Sequence, residues 1–262
     1  MDKISTILVP YDFSETSKNA LDYTVDFIGQ DKNIKILLTY ISSDGDADKT
    51  EEAFTDLRNQ YSSTLKSPME WISKSGSLTE SILKLQQNQD IDLVIMGTSG
   101  VGDQTDVAVT NTAKLVLEAD NCPVLVIPEG VKSFAMEKIA LVLGKNKIDD
   151  RSALETLLHI TRRFNAKVIV LTIQNEEGLY GYSEADESNE NLLEYYLENF
   201  YSHHTFIENP DIVQGIADYT STHDIDMVTI LPRNHAQGST PSEGRLTKEL
   251  TMHSKVPILA ID

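Results

Sequence analysis

DIDLVIMGTSGVGDQTDVAVTNTAKLVLEADNCPVLVIP, residues 90–128, decides how the rest of the chain is read. The run Leu93-Val94-Ile95-Met96 is apolar without alternation, which marks a strand buried on both faces, and it is expected to end at Gly97. A loop carrying Gly97, Gly100 and Gly102 follows. Thr110 or Asn111 is placed to cap a helix over Ala113 to Ala119, and Val124 to Ile127 reads as a second buried strand. Strand, glycine loop, helix and strand in that order present free helix N–H groups at the end of a loop, an arrangement suited to an anion. The glycines allow positive φ and close approach of a ligand to the backbone.

Upstream the same alternation repeats. Strands are predicted at Thr6 to Val9, Ile34 to Ile41 and Met69 to Ser73. Helices are predicted after Asp12 or Ser14, from about Asp48 to Leu65, and from Ser77 through Leu85. Ser77-Leu78-Thr79-Glu80 has the form of a capping box. Trp71 is read as a packing residue. Five strands alternating with four helices imply an α/β fold: an open parallel sheet with helices on both faces and right-handed crossovers.

The pattern then begins again. Asp90-Ile91-Asp92-Leu93-Val94-Ile95-Met96 matches Asp224-Ile225-Asp226-Met227-Val228-Thr229-Ile230 at an offset of 134, and Pro123-Val124-Leu125 matches Pro257-Ile258-Leu259. Near the front Val9 meets Val142 and Ala20-Leu21 meets Ala153-Leu154 at 133. Matches in the same order and at nearly the same spacing mark a tandem duplication, with domains over 1–130 and 131–262. In the second copy, strands are expected at Lys138 to Leu143, Lys167 to Ile173, Ser202 to Ile207, Met227 to Leu231 and Val256 to Ile261. Glu176 to Asn191 reads as a polar, mobile connector.

Composition narrows the function classes. Of the 262 residues, 41 are acidic and 22 basic, a net charge of −19. The excess is spread over both halves, 21 acids against 10 bases in residues 1–130 and 20 against 12 in the remainder. Such a field repels nucleic-acid phosphates and anionic lipid, so no nucleic acid and no membrane is expected as a partner. No apolar run approaches the ~20 residues that span a bilayer, and a cytoplasmic protein is expected. The single cysteine, Cys122, excludes an internal disulfide and reads as a small core residue. His203, His204, His235 and His253 lack the short paired spacing of a structural zinc site and read as surface or capping residues. Arg233 and Arg245 border the second copy's loop and could clamp an anion or a carboxylate. No P-loop and no Gly-x-Ser-x-Gly elbow is present, so an enzyme is not expected.

Gly97-x-x-Gly100, the segment Thr110-Asn111-Thr112-Ala113-Lys114 and Cys122-Pro123-Val124-Leu125-Val126-Ile127 together resemble the signature of the universal stress protein (UspA-like) family. The resemblance implies a Rossmann-like, adenine nucleotide alpha hydrolase-like fold with strand order 3-2-1-4-5. In some branches it also implies ATP or another adenine nucleotide as ligand. Carried onto this chain, the family's binding positions are Pro10, Asp12, Ile41, Met96, Gly97, Gly100, Thr110 and Asn111. Asp12 reads equally as a helix cap, and Met96 as core.

The loop departs from the family pattern: Val109 stands where its last glycine belongs, and the spacer is one residue short. Asp103 and Asp106 lie within it; they are either solvated or hold Mg²⁺ against phosphate oxygens. In the second copy Gly97 becomes Leu231 and Gly100 becomes Asn234, and Pro232 has no N–H, so no nucleotide is expected there. The resemblance also implies pairing through the last strand, either between the two halves as an internal pseudo-dimer or between chains as a homodimer, with an unknown protein partner. The reading is a stress-response module sensing adenine nucleotide through its first domain, or a nucleotide-free interaction scaffold.

Overall fold

Strand β1 (Thr6–Pro10) lies at the middle of the first parallel sheet. Ile7, Leu8 and Val9 are completely buried, as an unalternating apolar run requires when helices cover both faces. The computed structural model describes residues 4–42, 47–99, 112, 114–119, 122–144, 146–148, 151–174, 182–232 and 245–261. The chain separates into two compact units, Met1–Phe134 and Ala135–Asp262.

In unit 1 the strands after β1 are β2 (Lys35–Ser42), β3 (Met69–Ser75), β4 (Leu93–Thr98) and β5 (Val124–Pro128), ordered β3-β2-β1-β4-β5 and all parallel. The helices are α1 (Glu15–Ile28), α2 (Ala47–Tyr61), α3 (Leu78–Asn88) and a short α4, of which Thr112 and residues 114–118 are described. Helix α1 packs over β4 and β5 through Ala20, Leu21, Val25, Phe27 and Ile28. Each large apolar side chain so buried contributes on the order of 1.5–3 kcal/mol. The helix ends at Gly29, where φ is +57° and the N–H closes onto the Val25 carbonyl. Trp71 stacks on Phe54 with centroids 5.7 Å apart, and Arg58 lies over its ring, the packing role read from the sequence. Buried Cys122 sits with its thiol near the Ile91 carbonyl, and burial pushes its pKa up to about 12, which keeps it an unreactive thiol.

Unit 2 comprises β6 (Lys138–Val142), α5 (Ala153–Phe164), β7 (Lys167–Gln174), α6 (Glu184–Leu197), β8 (Tyr201–Glu208), α7 (Ile212–Thr222), β9 (Met227–Ile230), α8 (Arg245–His253) and β10 (Ile258–Ala260). Its order, β8-β7-β6-β9-β10, is the order of unit 1 strand for strand. The duplication extends to a single carboxylate. Asp92 Oδ2 accepts from the N–H groups of Ser5 (2.7 Å) and Thr6 (2.9 Å), tying the start of β1 to the start of β4. Asp226 Oδ2 does the same in unit 2, accepting from Glu137 N–H (2.7 Å) and Lys138 N–H (2.9 Å).

Three sequence expectations are corrected. Strand β4 does not stop at Gly97. It continues through Gly97 and Thr98, which lie opposite Ile127 and Pro128 in the ladder with β5. The capping box at Ser77 does not form, since Ser77 makes no side-chain bond to α3. The supposed connector Glu176 to Asn191 is helical from Glu184. There Ser183 and Asp186 form a reciprocal capping box, and buried Asn189 ties α6 down by accepting from Ile148 N–H and donating to the Asn146 carbonyl. Residues 176–181 of that segment lie outside the described residues. Among the described residues no helix is long and apolar enough to cross a membrane.

Candidate ligand site

The order β3-β2-β1-β4-β5 reverses direction between β1 and β4, and ligands of open parallel sheets bind outside the strand ends at that point. A cavity of about 570 Å³ opens there in unit 1. The strand ends contribute Pro10, Thr39, Ile41 and Met96. The start of α1 adds Asp12, Ser14 and Ser17, the turn into α3 adds Gly76 and Ser77, and the end of β4 adds Gly97, Thr98 and Ser99, with Thr112 opposite. Five positions singled out from the sequence, Pro10, Asp12, Ile41, Met96 and Gly97, therefore line one space. Gly100, Thr110 and Asn111 lie outside the described residues, as do Val109 and the loop acids.

Asp12 is set by the chain's entry into α1. The N-cap is Ser14, whose Oγ accepts from Ser17 N–H at 3.1 Å, so the choice left open between Asp12 and Ser14 resolves to Ser14. Asp12 holds that cap in place: its Oδ1 accepts from Ser14 N–H (3.0 Å) and Ser14 Oγ (2.5 Å). Partial desolvation pushes its carboxyl up, but hydrogen bonds from Ser14 and Ser17 outweigh this and hold it below the ordinary aspartate value. It is ionised at neutral pH and is the one charged side chain among the described residues of the lining.

Gly97 has a different reason to be glycine than the sequence suggested. Its backbone is not in the left-handed region, and a Cβ there would meet the Thr16 carbonyl oxygen at 2.3 Å and Thr16 Cγ2 at 2.7 Å. The absent side chain lets the first turn of α1 close onto β4. Gly76 is the residue that uses positive φ, at +111°, turning the chain from β3 into α3 beside the cavity. Phe13, between Asp12 and Ser14, holds a φ of 65° and is 43% exposed. That conformation is costly for a bulky residue. Its ring packs against Tyr11, Tyr40 and Phe54, which fixes this turn.

The sequence reading missed Thr39, Gly76, Ser77, Thr98, Ser99 and Thr112. Thr39 was detectable as a lone hydroxyl in the apolar run of β2, and Gly76 as a glycine before a helix start. Thr98 and Ser99 were hidden by ending β4 too early.

Unit 2 differs at the corresponding strand end. Strand β9 ends at Ile230, and Leu231 and Pro232 follow where unit 1 has Gly97 and Thr98. Its cavity of about 820 Å³ runs instead along α7 and α8, with no strand residue in its lining. The histidines stand apart as local side chains. His204 Nε2 lies 2.9 Å from Thr172 Oγ1 and stacks on Phe206, His203 meets Ser202, His253 pairs with Glu249, and His235 lies outside the described residues. Among the described residues no group of three or more His, Cys, Asp or Glu is gathered for a metal.

Residues 3–128, nearly all of unit 1, match the model of the universal stress protein family. Unit 1 carries that family's domain. The universal stress protein MJ0577 of Methanocaldococcus jannaschii is 25% identical over 154 residues, covering 46% of this chain and 93% of its own length. Among solved structures, a universal stress protein of Archaeoglobus fulgidus superposes with a TM-score of 0.74 at 17% identity, covering 99% of this chain and 98% of its own. Protein PA1789 of Pseudomonas aeruginosa gives 0.62 at 15% identity over 98% and 92% of the two chains. These superpositions run through both units and show the fold. They carry no ligand assignment.

Proposed function

We propose that unit 1 binds an adenine nucleotide in the cavity at the β1/β4 switch point, and that the chain is a cytoplasmic, non-catalytic stress-response module whose surface toward a protein partner depends on occupancy. The observation that carries this reading is the convergence of Pro10, Asp12, Ile41, Met96 and Gly97 on one cavity of about 570 Å³, a size ordinary for small-molecule sites. Apolar Pro10, Ile41 and Met96 suit a purine face. Asp12, ionised and held by Ser14, suits a ribose hydroxyl or an exocyclic amine. The hydroxyl-rich far side, from Ser77, Thr98, Ser99 and Thr112, suits phosphate oxygens. Occupancy would act on that surface as a population shift limited by the ligand's differential affinity. If a phosphate chain carries Mg²⁺ into the site, Asp12 is the described carboxylate able to face the ion.

Calorimetric titration with ATP, ADP and AMP, with and without Mg²⁺, tests the reading, together with Ile41→Trp to fill the cavity. Saturable binding lost in Ile41→Trp without loss of folding is the expected result. Absence of heat and of thermal shift with every ligand would hand the chain to the second reading, an interaction scaffold free of nucleotide. The exposed Phe13 ring and a lining without a cation among the described residues favour that alternative.

A further inference from the structure

We propose that β3 is the edge through which unit 1 joins a second copy of this chain, the two β3 strands pairing antiparallel about a two-fold axis at Ile72. The pairing does not depend on what the cavity binds. β3 is the end strand of its sheet, and among the described residues it pairs with β2 alone. Ile36 N–H donates to the Pro68 carbonyl at 2.9 Å, and the register onto β2 is regular from Met69 to Ser75. Backbone groups along a strand point alternately to its two sides, so Glu70, Ile72 and Lys74 direct theirs at β2, and Met69, Trp71, Ser73 and Ser75 turn theirs outward. A straight edge of that kind is a template for another strand.

Charge and register decide what that strand is. Outward-facing residues must meet outward-facing residues, so in self-pairing the axis passes through a residue. With the axis on Ile72, Trp71 lies opposite Ser73 and Met69 opposite Ser75 as hydrogen-bonded pairs, and the whole of β3 is matched. Glu70 of each copy then lies opposite Lys74 of the other. Side chains so placed stand about 4.5–5.5 Å apart at Cβ, and opposite charges there attract where like charges repel. Moving the axis by one residue sets Glu70 or Lys74 against Ile72, and moving it by two sets like against like. Both side chains are exposed, and the 3.5 Å contact of Glu70 with Lys35 is an open surface pair that does not close it off. Half-buried Ile72 meets its own counterpart on the axis, on the same face as the two ion pairs. A lone lysine on an edge turns a second strand away; here its mirror position carries the acid. The end strand of unit 2 is built otherwise. Its register slips by one residue, Val168 facing Tyr201 and Ile169 facing His203, and β8 contains no Lys or Arg to match Glu208.

Analytical ultracentrifugation of the full chain, from micromolar to submillimolar concentration, tests the pairing. A net charge of −19 on each copy opposes any association, so the buffer is held at physiological ionic strength, where such fields are screened beyond about 8 Å. The wild type is expected to show a monomer–dimer equilibrium. Glu70→Lys and Lys74→Glu each set like charges across the axis, and each should weaken dimerisation at least tenfold. The double variant carrying both reverses the pair and should return the dimer to within about threefold of the wild type. Ser73→Pro removes an outward N–H without touching the ladder to β2, and should leave a folded monomer. The charge variants alter exposed side chains and keep the test readable if Ser73→Pro unfolds the unit. A wild type that stays monomeric throughout would overturn the inference. So would a dimer indifferent to both single reversals, which must form through another surface, or single losses that the double variant does not recover.

Discussion

Unit 1 and unit 2 share a strand order, a helix complement and a buried-strand pattern, yet they diverge within a few residues of the end of the fourth strand. In unit 1, β4 runs on through Gly97 and Thr98 because Gly97 lets α1 close against it. In unit 2, β9 is four residues long, and Leu231 and Pro232 take those two places. The helix that follows the third strand differs as well, open at Ser77 in unit 1 and capped by Asp211 in unit 2. Copying a fold copies its core, whereas a binding site depends on a handful of positions where a side chain is withheld or a cap left unmade.

The largest effect that would break the comparison comes from exchanging its most divergent position. Gly97→Leu should destabilise unit 1 by more than about 4 kcal/mol or prevent its folding, because the first side-chain carbon already collides with the backbone of α1. Leu231→Gly should cost unit 2 under about 1 kcal/mol. Urea unfolding of the two variants decides; a mild Gly97→Leu would mean that α1 can back away from β4 and that the closure is not specific to glycine.

Next come the features the units share. Asp92→Ala and Asp226→Ala each remove a carboxylate that accepts two backbone N–H groups, and each is expected to cost about 1.5–3 kcal/mol in its own unit. Native-state hydrogen exchange read separately over β1 and β6 should show matching losses. Unequal losses would show that the two clamps are no longer equivalent.

The caps give a smaller contrast. Asp211→Ala should lower the stability of unit 2 by ~1 kcal/mol, while Ser77→Ala should leave ligand-free unit 1 within about 0.5 kcal/mol of the wild type. A loss as large for Ser77→Ala would indicate that it caps α3 in solution.

Acid should finally separate the units gently. All six histidines fall in the second half of the chain. His204, buried against Phe206, is held below the ordinary histidine value of 6.5 by desolvation, which outweighs the opposing charges of Glu190 and Asp186. As pH falls through 6.5 the unfolded chain takes up a proton that the folded unit resists, so this contribution to stability is present above that pH and is lost below it. Melting curves between pH 7.5 and 5.5 should show a downward slope for unit 2 that His204→Phe flattens. An unchanged slope would place the acid sensitivity elsewhere.

Much of this was legible before any coordinates. The unalternating runs of β1, β4 and β5 announced strands covered on both faces, and two strings repeating at a spacing of 134 announced two copies of one fold. Pro10, Asp12, Ile41, Met96 and Gly97 could be assembled in advance because the family resemblance implies the strand order and the binding positions, and strand order decides which strand ends are neighbours. What escaped was set by contact across the chain. Gly97 looked like a loop glycine, since nothing in the local sequence says that Thr16 will lie against it. Ser77-Leu78-Thr79-Glu80 has the residues of a capping box, and only the path of the β3–α3 turn withholds the bond. Glu176 to Asn191 looked like a connector because its acids and asparagines conceal Ser183, Asp186 and Asn189, whose partners at the helix start and on the segment after β6 make it a helix.

Residue order by itself determined the architecture, since burying those apolar runs leaves few arrangements other than a parallel sheet between helices, made twice. The tertiary structure decided where each described cavity lies, that Ser77 leaves α3 without a side-chain cap, and that the Thr39 hydroxyl is buried without a partner. Those properties depend on distances of a few ångströms between segments far apart in the chain, and hydrophobic periodicity carries no information about them.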